Sequence, residues 1–312
     1  MSDSTRSLKS LTLAIAAVER DTGLTKDTLR VWERRYGFPQ PERDAHGERA
    51  YPLDQVEKLR IVKRLMDGGH RPGRLVPMPF DALVELSENT VDVPRRSHGS
   101  RGEPDLKSYL ALMRSHDMDA LRRLLLQAQM RLGLSRFVLD VVLPLNTLVG
   151  DAWMRGQLEI FEEHAYIECL QGVLRQALAG IPEAAPLDRP RVLLTTLPGE
   201  PHGLGLLLAE ALFALEGARV LSLGVQTPVW DISLAAVAYR CDIVALGFTG
   251  CMNPNQVVDG LNELRSKLPA DVELWVGGSA PVLHRRPVEG VMAFASLQDI
   301  HPQLERWRHG GA

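Results

Sequence analysis

Residues 191–205 read RVLLTTLPGEPHGLG. The apolar run Arg191–Leu197 has the length of a buried strand, a Pro/Gly-rich break follows, and a helical pattern takes over at Leu204. The same change of period recurs downstream. Arg219–Leu223, Asp242–Phe248 and Glu273–Val276 are further strand-length runs, separated by helical patterns at Leu204–Leu215, Ile232–Tyr239 and Gln256–Leu268. Strand alternating with helix predicts a doubly wound parallel sheet over residues 186–312. Such sheets bind ligands at the carboxyl ends of their strands, which directs attention to the loop after the first strand. That loop fits neither GxGxxG, since only leucines follow the Gly203/Gly205 pair, nor a phosphate loop ending in Gly-Lys-Ser/Thr. It offers one histidine, His202, with Glu200 two residues earlier. Neutral imidazole is a common metal ligand, and a carboxylate on its second nitrogen fixes the tautomer. Taken alone, such a histidine is more often structural.

Working toward the N-terminus, residues 105–185 read as helices throughout: Leu106–Arg114, Asp117–Arg131, Ser135–Met154 and Leu158–Leu178, with breaks at His116, Gly133 and Gly156. Four helices with short connections predict an antiparallel bundle. Residues 79–104 form the expected linker, and the stretch from about 86 is rich in Ser, Gly, Pro and charge. Residues 1–78 read as short helices with one interruption. Thr12–Glu19 is a turn or two of helix, and Thr25 caps a helix running to about Arg35. Gly37 and Pro39 stop it, residues 38–52 are broken enough for a small hairpin, and Leu53–Met66 is amphipathic.

The whole is a multidomain α and α/β chain. Its 312 residues are 45% hydrophobic and 24% charged, enough for several cores and too apolar for general disorder. No apolar run reaches the roughly 18–20 residues of a membrane span, and the polar N-terminus lacks the apolar stretch of a signal peptide. No membrane partner is expected. Three cysteines without CxxC spacing argue against a disulfide frame or a zinc site, so a reduced, cytoplasmic setting is expected. Charge is uneven: residues 1–78 carry 15 Lys/Arg against 11 Asp/Glu, and the remainder carries 21 against 28. Only the N-terminal part suits a polyanion.

Within Thr25–Tyr36 (TKDTLRVWERRY), Lys26, Arg30 and Arg34 recur every fourth residue along one helix face, while Leu29 and Trp32 can face a core. Such a face is as often merely solvated as DNA-binding. The order of helix-turn-helix, ERRYGFPQPER, Arg49-Ala50-Tyr51 and a further helix resembles the winged-helix DNA-binding domain of the MerR family. The resemblance spans about 70 residues. It implies that Lys26, Arg30, Arg34 and Arg35 serve the groove-facing helix with Trp32 in support, and that Arg43, Arg49 and Tyr51 belong to a phosphate-holding wing on double-stranded operator DNA.

In the C-terminal block, Glu200-x-His202-x-x-Gly205 is followed by 41 residues, then Gly247-Phe248-Thr249, then 27 residues, then Gly277-Gly278. This resembles the cobalamin-binding domain of methionine synthase and its relatives. The resemblance implies that His202 takes the lower axial position on cobalt, base-off/His-on. The small residues Gly247, Thr249, Gly277 and Gly278 would then leave a channel for the displaced nucleotide tail. Glu200 stands where the relatives carry aspartate, and Gly247 where they carry serine, which removes one contact to the tail.

Trp153, then nine residues, then Glu163-His164 matches a signature of CarH-type adenosylcobalamin photoreceptors. That family also orders its domains as winged helix, bundle and cobalamin sheet, and the resemblance covers nearly the whole chain. It implies that Trp153 packs against the adenosyl group and that Glu163 and His164 define the upper pocket. Met154 stands where members carry a histidine, and a thioether is the weaker, softer ligand. The family function is light-responsive repression through a homo-oligomer, a tetramer in the dark, with no substrate turned over. Rival readings are a sensor of cobalamin occupancy alone, a corrinoid methyl carrier, against which the DNA-binding block argues, and a metal-responsive activator, for which the cysteine spacing is wrong.

Overall fold

The computed structural model describes residues 12–44, 47–67, 70–89, 105–182 and 189–310. These divide into two compact units. The first holds the described residues up to 89 together with Gly150–Glu159, and the second holds the rest.

In the first unit, helix Ile15–Thr22 and helix Lys26–Tyr36 are joined by a tight turn. Gly23 closes the first helix at φ +69°, a left-handed conformation that suits glycine, and the Thr25 side chain accepts from the Thr28 amide to start the second. Strands β1 (Thr12–Ala14), β2 (Glu42–Arg43) and β3 (Arg49–Pro52) form an antiparallel sheet in the order β1-β3-β2, with Leu13 opposite Tyr51 and Arg43 opposite Arg49. The expected hairpin is present. The expected helical turn at Thr12–Glu19 begins instead as β1, because its backbone pairs with β3. Helix Leu53–Asp67 buries Val56, Leu59, Val62 and Leu65 against Leu29, Trp32 and Tyr51. Each such side chain contributes roughly 1.5–3 kcal/mol. The linker expected from residue 79 is helical in its first part: Phe80–Asn89 forms a helix whose Leu83 is buried in the same core. Residues 90–104 of that linker lie outside the described residues.

The second unit joins bundle and sheet. Its helices are Leu106–Arg114, Met118–Leu132, Leu134–Met154 and Ile160–Ala179, of which Gly150–Met154 is grouped with the first unit. The third contains a π-turn at Phe137–Val142 that buries Phe137, Val138, Val141 and Val142. By length and composition this helix could cross a membrane, which the sequence reading did not anticipate. Its first turns pack on helix Met118–Leu132 and helix Leu204–Leu215 instead.

The sheet is wholly parallel. β4 (Arg191–Thr195), β5 (Arg219–Ser222), β6 (Ile243–Phe248), β7 (Glu273–Gly278) and β8 (Val291–Ala293) lie in the order β5-β4-β6-β7-β8. The short β8 and helix Ile300–Gly310 were not anticipated from sequence. Helices Leu204–Leu215, Val229–Ala238 and Pro254–Lys267 connect the strands, and Ile160–Ala179 packs against the first of them. Connections leave β4 toward β5 and later return to its other side as β6. The direction of winding therefore reverses between β4 and β6, where sheets of this order open a ligand crevice.

Candidate functional site

The loops after β4 and β6 meet at that crevice. The Glu200 side chain is fully buried there. Its Oε1 accepts from His202 Nδ1 at 2.6 Å, and its Oε2 accepts from the Thr249 amide at 2.6 Å and the Thr249 hydroxyl at 2.9 Å. The Cys251 thiol donates to Oε1 at 3.3 Å. Thr196 holds the loop from below: its hydroxyl donates to the Glu200 carbonyl at 2.6 Å and accepts from the Gln226 amide at 2.7 Å.

A buried carboxylate is costly unless its charge is hydrogen-bonded. Burial alone would raise the pKa of Glu200. The bonds from His202, Thr249 and Cys251 outweigh burial and bring it down to about 2. The carboxylate therefore stays ionised and accepts from a proton on His202 Nδ1; in the neutral ring that tautomer leaves Nε2 as the electron-pair donor. The His202 side chain is more than half exposed, so that donor sits at an open crevice. This donor set fits a histidine that could hold the metal of a corrinoid.

The small residues divide by role. Gly278 has φ +119°, and a Cβ there would lie 1.9 Å from the Phe248 carbonyl oxygen. Glycine is required at Gly278 by the close pairing of β6 and β7, a reason separate from any channel. Gly205 would meet nothing within 4 Å and Gly277 only ordinary contact, whereas a Cβ at Gly247 would press on Leu206 Cδ2 at 3.2 Å. Thr249, expected only as a small channel residue, instead anchors the carboxylate.

Glu163 and His164 lie in the first turn or so of helix Ile160–Ala179. Burial raises the pKa of Glu163, and the charges of His164 and His202 partly offset that rise. The bundle thus brings a half-buried carboxyl group into the electrostatic reach of His202. His164 is exposed, with Nε2 3.6 Å from Glu163 Oε2. Trp153 and Met154, both partly buried, end helix Leu134–Met154 in the segment grouped with the first unit.

In the first unit the helix Lys26–Tyr36 turns Leu29 and Trp32 into the core and exposes Arg30, Arg34 and Arg35. Several expected DNA contacts are already engaged. Lys26 pairs with Glu19 at 3.5 Å, Arg30 with Asp27 at 3.3 Å, and Arg43 donates to the Gly47 carbonyl at 2.7 Å. Arg49 is gripped by Glu33 through Nε at 2.9 Å and Nη2 at 3.4 Å. Tyr51, expected in the wing, is fully buried in β3, and its hydroxyl has no hydrogen-bond partner among the described residues. In β3 Tyr51 pairs with Leu13, and Ala50 and Tyr51 are both buried.

Sequence reading missed Cys251, Thr196 and Glu33. Cys251 reaches the crevice only through strand order, Thr196 lies four residues before Glu200 on the same segment, and Glu33 looked like a solvated helix residue.

Comparison with known proteins agrees with both units. The model of the MerR HTH family regulatory protein matches residues 13–75, and that of the B12 binding domain matches residues 106–177. The HTH-type transcriptional repressor CarH of Myxococcus xanthus is 32% identical over 272 residues, covering 86% of this chain and 89% of that protein. The repressor CarA of the same organism is 29% identical over 284 residues, covering 89% and 90%. Among solved structures, the monomethylamine corrinoid protein of Methanosarcina barkeri superposes with a TM-score of 0.50 at 15% identity, covering 64% of this chain and 96% of that one, a likeness of fold.

Proposed function

The chain belongs to the CarH-type family of MerR-related, B12-dependent transcriptional regulators, and from that premise we propose that it is a cytoplasmic repressor whose hold on DNA is set by light acting on bound adenosylcobalamin. The observation that carries the reading is the buried Glu200 carboxylate donating order to His202 at the carboxyl end of β4. A merely structural histidine has no need of an ionised carboxylate held by four donors. His202 would supply a nitrogen to the cobalt, and Glu200, Thr249 and Thr196 would keep that ring in one tautomer and one orientation. Adenosylcobalamin, when bound, supplies a cobalt–carbon bond that visible light breaks.

Glu163 and His164 would line the upper side and exclude water from it. Loss of the adenosyl group removes the contacts that favour the closed arrangement, and a ligand shifts an equilibrium only by its differential affinity for the two states. Linked winged-helix domains in a tetramer would bind tandem operator sites with avidity, so release of the oligomer weakens DNA binding without altering any arginine.

Met154, in place of the histidine that would otherwise capture cobalt after light, favours a second reading in which occupancy by cobalamin, independent of light, controls the repressor. A gel shift on duplex operator DNA selected by the protein itself separates the two. The light reading expects retention with adenosylcobalamin in the dark and loss after green light. Equal retention in dark and light, with loss only when cobalamin is withheld, would establish the occupancy reading instead.

A further inference from the structure

The crevice holds a donor cluster that shares Glu200 and His202 with the cobalamin reading and adds Cys251, which that reading does not use. One ligand atom from each of Glu200, His202 and Cys251 lies within 4.8 Å of the others. Glu200 Oε1 stands 2.6 Å from His202 Nδ1 and 3.3 Å from Cys251 Sγ. Nitrogen, oxygen and sulfur donors converging from two loops match the ligand set of Zn²⁺, at bond lengths of about 2.0–2.3 Å. A tetrahedral ion with such bonds separates its ligand atoms by about 3.3–3.6 Å. The oxygen–sulfur spacing already meets this. The oxygen–nitrogen spacing must widen by less than about 1 Å, a movement that the exposed His202 ring can make. The cysteine spacing in sequence gave no hint of this, because the three residues come together only across the β4 and β6 loops.

We propose that the cobalamin-free protein binds one soft divalent cation, Zn²⁺ being the representative, through Glu200, His202 and Cys251, and that this ion excludes cobalamin. The exclusion follows from the imidazole. A neutral ring carries one proton. With the ion on Nδ1 that proton sits on Nε2, which then has no lone pair for cobalt. With the proton on Nδ1, donated to Glu200, Nε2 serves cobalt and Nδ1 cannot hold a metal. An ion on Nε2 occupies the cobalt position outright. Two carboxylate- and thiolate-type negative charges around a neutral imidazole also balance a divalent ion, which favours Zn²⁺ over a monovalent one. The three-ligand set leaves a fourth position open, so the ion would be exchangeable and sensitive to chelators. The protein would thus load cobalamin only where free zinc is scarce. The exclusion arm rests on His202 as the cobalt ligand; the metal arm does not.

The test uses the full-length, metal-stripped, reduced protein. Zn²⁺ is titrated against a chromogenic chelator, and Cd²⁺ is added separately to read the thiolate-to-metal absorption band. The expected result is one Zn²⁺ per chain, a Cd²⁺–thiolate band, loss of that band in Cys251→Ser, and Zn²⁺ affinity in that variant lower by about tenfold or more; Cys241→Ser, whose thiol is buried in the sheet core, should match wild type. Absence of stoichiometric Zn²⁺, or an unchanged affinity and band in Cys251→Ser, would overturn the metal site. In the second arm, wild-type protein preloaded with Zn²⁺ should take up cobalamin at least tenfold more weakly until chelator is added, while Cys251→Ser should be indifferent to Zn²⁺. Equal uptake by zinc-loaded and metal-stripped wild type would overturn the exclusion. Failure of every preparation to take up cobalamin would instead overturn the cobalamin reading and leave the metal result standing.

Discussion

Replacing Glu200 by Gln changes few atoms but removes the charge on which the crevice is built. The carboxylate accepts from His202 Nδ1, the Thr249 amide and the Thr249 hydroxyl, and all of these bonds are charge-assisted. A glutamine keeps one acceptor oxygen and turns an NH₂ toward a group that also donates. With the NH₂ in place of Oε1, the His202 donor is left unsatisfied, at about 1–3 kcal/mol, and the two bonds from Thr249 weaken to the neutral range of about 0.5–1.5 kcal/mol each. The expected loss in the apo protein at neutral pH is about 3 kcal/mol. The sign of the pH dependence follows from the lowered carboxyl pKa. The stabilisation is complete above the ordinary carboxyl value of 4.5 and disappears as pH falls through about 2, so the gap between wild type and variant should narrow only below pH 4.5. Residues that orient a metal-binding histidine are typically worth 10–100-fold in affinity, so cobalamin binding should weaken by that factor. Denaturant unfolding from pH 7 down to 3, with an absorbance titration of cobalamin, measures both. A variant within about 0.5 kcal/mol of wild type at pH 7, binding cobalamin within twofold, would refute the role given to Glu200.

His202→Ala should leave a folded protein that binds cobalamin weakly with a base-on spectrum; a base-off/His-on spectrum in the variant would reject His202 as the ligand. Gly278→Ala should destabilise the sheet by about 3 kcal/mol or more, because its Cβ meets backbone and the φ is strained, while Gly247→Ala meets only the flexible end of Leu206 and should cost under about 1 kcal/mol; thermal melts compare them. Arg34→Ala should weaken binding to random-sequence duplex and lower the log–log salt slope by about 1, whereas Glu33→Gln should release Arg49 to phosphate and raise both; a slope unmoved in both variants would show that this face does not meet DNA. Met154→His should yield a bis-imidazole spectrum after illumination that wild type lacks, unless the His164→Ala variant of the wild-type background shows that His164 already supplies the second nitrogen.

Much of this architecture was legible in the sequence because period carries element type. The apolar runs around Leu193 and Leu274 and the cap at Thr25 fall where their patterns put them. What was missed depended on pairing between distant segments. Thr12–Ala14 looks helical until β3 is there to pair with it, and Tyr51, which looks like a wing residue, is fully buried in β3. The helix Phe80–Asn89 is short and runs into a polar stretch, and Leu83 in the core, with Leu86 packed against it, shows why it folds. In the site, Glu200-x-His202 was readable as a local motif, since both residues lie on one loop. Cys251 was not, because the winding of the sheet alone brings the β6 loop beside it. The pairing of Arg49 with Glu33 was likewise invisible, for a basic residue in sequence gives no sign of which acid will claim it.

Light control requires that illumination change the assembly that carries the winged helices. Protein loaded with adenosylcobalamin in the dark is passed over a size-exclusion column with in-line absorbance, then again after green light. The predicted result is a tetramer with a His-on adenosylcobalamin spectrum in the dark, and a smaller species lacking the adenosyl spectrum after illumination. A photolysed cofactor on an oligomer of unchanged size would contradict light control and leave a repressor that senses only whether its cobalamin site is filled.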